Sequence, residues 1–303
     1  MGVGSSEPVT RKETDRVSSS KFVCGSSCMQ GWRINMEDAH VHLPEIPNLP
    51  ETSYFSLNEG NITKAFKSTF LQFDAEIRGS VPPNVGSTAN VVLIVRNMLF
   101  CSNIGDSRTV VSIGGIARDL SEDHKPHSDK EIQRISGAGG FVTNFRVNGG
   151  LALSRAFGDF MYKDNGNLPP EKQMVIAVPD VTYLKITNDF EFFVMACDGI
   201  WDVMTSQEVV NFVRLRIAAN MPPHIICEEL MTNCLAPDIK MGGLGCDNMT
   251  VMICCFIQHQ TYKQLMTKCA SPVAVHTFPE YPIAPPLPEG PSTQNAVVYR
   301  KSN

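Results

Sequence analysis

The spacing of apolar residues changes period many times along the chain, and each change marks an element boundary. Val91 to Val95 and Met98 to Cys101 are continuous apolar runs of strand length separated by Arg96-Asn97, which predicts a hairpin. Arg108 to Ile113 and Ile116 to Leu120 are joined by Gly114-Gly115, a pair that tolerates the positive φ of a two-residue hairpin turn. Four antiparallel strands in one meander are therefore expected. From Ile62 to Ile77 the residues Ile62, Ala65, Phe66, Phe70, Phe73 and Ile77 recur three or four apart and predict one face of a helix. Ser128-Asp129-Lys130-Glu131 and Thr205-Ser206-Gln207-Glu208 read as capping boxes that open two more helices, and Pro222-Pro223 opens another running to about Leu235. Phe192 to Cys197 and Met249 to Ile257 are strand-like runs. Strands and helices come in blocks without strict βαβ alternation, so the pattern predicts an α+β fold with largely antiparallel sheet.

The two ends lack such periods. Residues 1 to 21, rich in Ser, Thr and charge, read as a flexible leader, and its Met1-Gly2-Val3-Gly4-Ser5-Ser6 fits the pattern for myristoylation of Gly2. An unmodified tail fits the same residues equally well, and one acyl chain gives only weak membrane association. Residues 258 to 303 read as a C-terminal extension. From about 271 its prolines exclude regular helix or central strand, so disorder is expected there, with Pro282-Ile283-Ala284-Pro285 read as a spacer. One domain over residues 22 to 257 remains.

Composition narrows the class. With 43% apolar and 19% charged residues, the 303-residue chain has the makeup of a globular protein, not a disordered one. Its net charge of −5 gives no electrostatic footprint for nucleic acid. There is no apolar run of the roughly 20 residues a membrane span requires and no secretory signal, which places the chain in the cytoplasm or nucleus. The ten cysteines read as reduced, mostly buried thiols.

Chemistry is sought where a strand delivers a carboxylate. Phe192 to Cys197 ends in Asp198-Gly199, where the glycine leaves room for a ligand, and Asp247-Asn248 stands directly before the strand at Met249. Glu37-Asp38 follows Gly31-Trp32-Arg33, setting a phosphate-capable guanidinium close to carboxylates. Hard oxygen ligands of this kind suit Mg²⁺ or Mn²⁺. Each carboxylate has a plainer reading too: Asp198 as a helix cap, Asp247 as an Asx turn, Glu37-Asp38 as a solvated loop.

Six ordered segments carry a resemblance. They are Gly31-Trp32-Arg33-Ile34-Asn35-Met36-Glu37-Asp38-Ala39-His40, Cys101-Ser102-Asn103-Ile104-Gly105-Asp106-Ser107-Arg108, Glu122-Asp123-His124-Lys125-Pro126, Gly150-Leu151-Ala152-Leu153-Ser154-Arg155-Ala156-Phe157-Gly158-Asp159, Ala196-Cys197-Asp198-Gly199-Ile200-Trp201-Asp202 and Gly245-Cys246-Asp247-Asn248-Met249-Thr250. In this order they resemble the motifs of the metal-dependent PPM-type (type 2C) protein serine/threonine phosphatases. The resemblance implies an antiparallel β-sandwich flanked by helices in αββα layers, with two Mg²⁺ or Mn²⁺ ions at one end. It implies that Asp198 and Asp247 are direct metal ligands, that Glu37 and Asp38 act through waters, and that Asp123 holds an additional metal. Arg33 becomes the clamp on the substrate phosphate and Asp202 a support behind the ligands. The other motif residues, Asp106 to Arg108 and Ser154 to Asp159, fall to structural work. The implied reaction is hydrolysis of phosphoserine and phosphothreonine in phosphoprotein substrates by metal-activated water.

The chain departs from that pattern in one place. Between Glu37-Asp38 and the helix at Ile62 the family has a strand ending in Asp-Gly-His-Gly-Gly and then a helix, whereas here Thr52-Ser53-Tyr54-Phe55 runs directly into Ser56-Leu57-Asn58-Glu59-Gly60. The fold is thus expected to be incomplete at one strand and one helix. The metal-bridging Asp and the general-acid His have no counterpart, and the metal site and activity are expected to be impaired. Two other readings stand beside an impaired phosphatase: a pseudophosphatase that binds phosphorylated partners through Arg33, and a metal-dependent hydrolase of small phosphates.

Overall fold

The computed structural model describes residues 6–43, 59–239, 243–257 and 260–273. Gly2, the Thr52 to Phe55 segment and the proline-rich residues from 274 onward lie outside them. In chain order the described residues form strands β1 (Val9–Ser18) and β2 (Phe22–Gly31), helix α1 (Glu59–Ile77), strands β3 (Gly86–Ser87), β4 (Ala89–Val95), β5 (Met98–Ile104), β6 (Arg108–Ile113) and β7 (Ile116–Asp119), and helix α2 (Asp129–Gly137). Short strands β8 (Val142–Thr143), β9 (Arg146–Val147) and β10 (Phe157–Gly158) follow. Then come β11 (Asp180–Lys185), β12 (Phe190–Ala196), the single turn α3 (Asp198–Trp201), helices α4 (Ser206–Ala218) and α5 (Pro223–Cys234), β13 (Met249–Phe256) and α6 (Tyr262–Ala270).

Two antiparallel sheets face each other. One has the order β1-β2-β13-β12-β6-β7 and the other β11-β5-β4. Between them Leu99, Cys101, Val111, Phe193 and Phe256 form an apolar layer. On the outer face of the larger sheet, Phe192, Val194, Val251 and Ile253 meet Val209 and Val213 of α4, Ile226 and Leu230 of α5, and Leu265 of α6. Strands β12 and β13 are buried on both faces, which is why they read as unbroken apolar runs. On the smaller sheet, Ile62 and Phe66 of α1 pack against Val95 and Phe100. These are the αββα layers the motifs imply. Among the described residues, α1 alone covers the three-stranded sheet, whose edge strand β4 is half-buried where β5 is buried.

The structure differs from the sequence-based expectations in several places. Residues 9–18 are not a flexible leader: β1 pairs with β2 from Val9↔Gly31 to Ser18↔Val23. Thr14 Oγ1 ties it to α5 by donating to Glu228 Oε1 at 2.7 Å. An edge strand held by its backbone and coated with Arg11, Glu13 and Arg16 carries no hydrophobic period to read. The packed body also extends past Ile257, because α6 buries Leu265 and Cys269 and Arg214 donates to the carbonyls of Lys268 and Ser271.

The expected four-stranded meander is two hairpins in different sheets, β4–β5 and β6–β7. The chain changes sheet at Gly105 (φ +95°), where a Cβ would lie 2.3 Å from the Thr88 side chain. The Thr205–Glu208 capping box forms, but Ser128 makes no side-chain cap to α2 because Glu131 turns inward to Arg155. The thiols are not all free either. Cys24 and Cys254 stand directly opposite on β2 and β13 and are joined as a disulfide, while eight other cysteines are free.

Candidate active site

Strands β2, β12 and β13 are neighbours in the larger sheet, and the loops at one of its ends bring the motif carboxylates together. Strand β2 stops at Gly31, which adopts the left-handed region (φ +66°) so that a Cβ there would lie 2.6 Å from the carbonyl oxygen of Asp247. The loop after β2 can therefore lie against the turn before β13. Asn248, 5% exposed, fastens the two. Its Nδ2 donates to the carbonyls of Gln30 (2.8 Å) and Asn35 (2.9 Å), and its Oδ1 accepts from the amide of Glu37 (2.9 Å). Gly199 does not leave room for a ligand, as its sequence setting suggested. The Asn248 carbonyl fills that space, 2.2 Å from where a Cβ would be.

Arg33 Nη2 donates to Asp247 Oδ2 at 2.5 Å. That bond holds the guanidinium above its usual range, with Asp198 and Glu37 adding to the effect. The Asp198 carboxyl is pushed up to about 7 by burial and by the charges of Asp106, Asp247 and Asp202, against the opposing pull of Lys125. Burial raises Asp202 against Lys125, with Asp106, Asp123 and Asp247 adding to the rise. Lys125 itself is paired with Asp106. Asp38 Oδ2 accepts from the Thr250 hydroxyl at 2.8 Å, and burial, then Asp38 and Asp198, push up the Cys197 thiol. Asp123 already has a partner: Arg108 grips both its oxygens, Nε to Oδ1 at 2.9 Å and Nη2 to Oδ2 at 2.8 Å. An additional cation there would share those oxygens with Arg108.

The donors near Asp198 are oxygens, and their negative charge exceeds that of Arg33 and Lys125. This is the environment a hard divalent cation takes. Among the described residues no three or more His, Cys, Asp or Glu side chains converge into a closed metal cage. Mg²⁺ needs none, since it is held by one or two carboxylates and keeps several waters. Asp198 and Asp247 fit that requirement.

The protein phosphatase 2C family model matches residues 48–241. A probable protein phosphatase 2C of Caenorhabditis elegans is 47% identical over 302 residues, spanning 90% of this chain and 85% of that protein. This chain belongs to the protein phosphatase 2C family. Protein phosphatase 2C homolog 3 of Schizosaccharomyces pombe is 45% identical, with 94% of this chain and 76% of that protein covered. In fold, a crystal structure of a phosphatase from Toxoplasma gondii superposes with a TM-score of 0.61 at 24% identity, over 83% of this chain and 97% of that one. Membership makes the chain a protein phosphatase by family, and its antiparallel sandwich with flanking helices is the fold of its structural neighbours.

Several residues at this protein phosphatase 2C site escaped the sequence reading. Asn248 was given no part of its own, yet it joins the Glu37 loop to β13. Lys125 and Asp106 sit among the site charges as an ion pair, although Asp106 had been given a purely structural part. The signal was present in Glu122-Asp123-His124-Lys125, where a lysine stands among acidic neighbours.

Proposed function

We propose that this chain hydrolyses phosphoserine and phosphothreonine in phosphoproteins with the help of Mg²⁺ or Mn²⁺, and that it does so slowly. The carrying observation is the contact of Arg33 with Asp247 beside the half-buried, charge-crowded Asp198. Asp198 and Asp247 would hold the cation. A bound divalent cation supplies charge neutralisation for the phosphoryl oxygens and lowers the pKa of water.

The chain's own residues do the rest. Arg33 meets two phosphate oxygens with its planar fork and fixes the group for in-line attack. Asp38, oriented by the Thr250 hydroxyl, and Glu37, carried on the loop that Asn248 fastens, orient waters and take up their protons. Asp202 adds charge behind Asp198. The family resemblance supports this division of labour. The chain has no Asp-Gly-His-Gly-Gly sequence, and loss of one electrostatic group at an active site costs about 2.7–4 kcal/mol, so turnover is reduced by 100-fold or more relative to a restored chain, on the order implied by that figure.

Among the described residues no helix is long and apolar enough to cross a membrane. We assign the activity to the cytoplasm or nucleus, with acylation of Gly2 as a weak membrane attachment and with no nucleic-acid partner. The test is turnover of a phosphothreonine peptide in millimolar Mn²⁺, compared with a chain in which the missing strand and helix are restored after Phe55. The restored chain turns over far faster, and Asp198→Ala abolishes turnover in both. Undiminished turnover in Asp198→Ala overturns the reading, and preference for a nucleotide over the phosphopeptide would mark a small-phosphate hydrolase. The missing Asp-Gly-His-Gly-Gly sequence favours one second reading, a pseudophosphatase that retains phosphopeptides through Arg33 without turnover.

A further inference from the structure

Arg33 and Asp247 hold each other, yet the reaction above asks each to hold something else. Asp247 is anchored through one oxygen only: Oδ1 accepts from the Asn248 amide at 2.7 Å, which leaves Oδ2 to Arg33. The backbone of the Arg33 turn is fixed as well, because Gln30 Nε2 donates to the carbonyls of Arg33 and Ile34, both at 2.9 Å. What can move is the Arg33 side chain, which is 52% exposed, against 31% for that of Asp247. A single oxygen, Asp247 Oδ2, is therefore contested by the guanidinium and any cation that binds the carboxylate.

We propose that the Arg33–Asp247 pair is a latch that makes cation binding and phosphate binding cooperative. A divalent cation that takes Oδ2 releases Arg33 for a phosphate. A phosphate that takes Arg33 frees Oδ2 for the cation, and linkage requires the two effects to be equal. With the latch closed the site turns phosphate away twice, since its guanidinium is occupied and Asp198, Asp202 and Glu37 repel the anion. The proposal rests on Asp247 being a cation ligand.

Calorimetry with inorganic phosphate on cation-free protein tests it. Asp247→Asn opens the latch and tightens phosphate binding by up to about fivefold, the range of an exposed ion pair. Asp202→Asn removes the same charge without touching Arg33 and gives a smaller gain, and the gain from Asp247→Asn falls to that smaller size when Arg33 is also Ala. Equal gains for Asp247→Asn and Asp202→Asn would overturn the latch. A second measurement needs no variant: the ¹⁵N guanidinium signals of Arg33 report restricted rotation without cation and are released by Mg²⁺. Mg²⁺ binding that leaves those signals unchanged overturns the latch while the cation reading stands, and absence of Mg²⁺ binding overturns both.

Discussion

Two groups of ionised side chains lie beside the sandwich, and they differ in how their charge is matched. In the first, Glu131, 2% exposed, pairs with Arg155 and Arg134, while Asp180 pairs with Arg155, His124 and Lys130. Burial pushes the Glu131 carboxyl up, but Arg155 and Arg134 overcome it and hold the group at about 2. In the second, Asp106, Asp198, Asp202 and Asp247 face Lys125 and Arg33, with Arg108 near Asp202 already gripped by Asp123, and the Asp198 carboxyl rises to about 7. The second group comes wholly from the ordered motifs, whereas of the first only His124 and Arg155 do. A balanced set carries its own counter-ions and holds the chain together, whereas an unbalanced set leaves carboxylate charge that a cation from outside would neutralise.

The largest expected effect breaks the balanced group. Glu131→Ala leaves Arg155 without its closest partner in a buried setting and should cost about 3–5 kcal/mol in denaturant unfolding. Asp198→Asn, measured without divalent cations, should cost nothing or stabilise, because it removes a charge its neighbours repel. Similar losses for the two variants would erase the distinction between the groups.

A pH series sharpens it next. The Glu131 pKa is 4.5 in the reference state and about 2 in the folded chain, so the unfolded chain binds the extra proton. Its contribution is present above about 4.5 and lost as pH falls toward 2, amounting to roughly 3 kcal/mol at most. Denaturant midpoints between pH 5 and pH 3 should fall more steeply for the wild-type chain than for Glu131→Gln. Parallel slopes would show that Glu131 is not held ionised by its arginines.

The smallest effect concerns the borderline residue. Asp123 and Arg108 form a partly exposed bidentate pair, so Asp123→Asn should cost about 1 kcal/mol or less in thermal melting and leave divalent-cation affinity unchanged. A large drop in that affinity would move Asp123 into the cation site.

Much of the fold was legible because burial writes a period into the sequence. Strands β12 and β13 follow their apolar runs closely, whereas helix α1 forms where its period predicts but leaves Ala65 and Phe73 exposed and buries Asp74. Strand β1 left no such mark, since its backbone pairs while Arg11, Glu13 and Arg16 stay in water. The β4–β5 and β6–β7 hairpins were readable, but a hairpin pattern does not say which sheet it joins, and the change of sheet at Gly105 depends on its close approach to Thr88. At the site, Asp198, Asp247 and Arg33 could be singled out only through the order of their motifs, because each alone reads as a cap, a turn or a solvated loop. Asn248 was hidden for the same reason: its hydrogen bonds reach Gln30, Asn35 and Glu37, more than 200 residues away in the chain.

Mn²⁺ titration calorimetry of the full chain, with binding stoichiometry, puts the unbalanced carboxylates to the most direct trial. A saturable site at one ion per chain that disappears in both Asp198→Asn and Asp247→Asn is the predicted result. No binding, or binding of equal strength in Asp198→Asn, would contradict it.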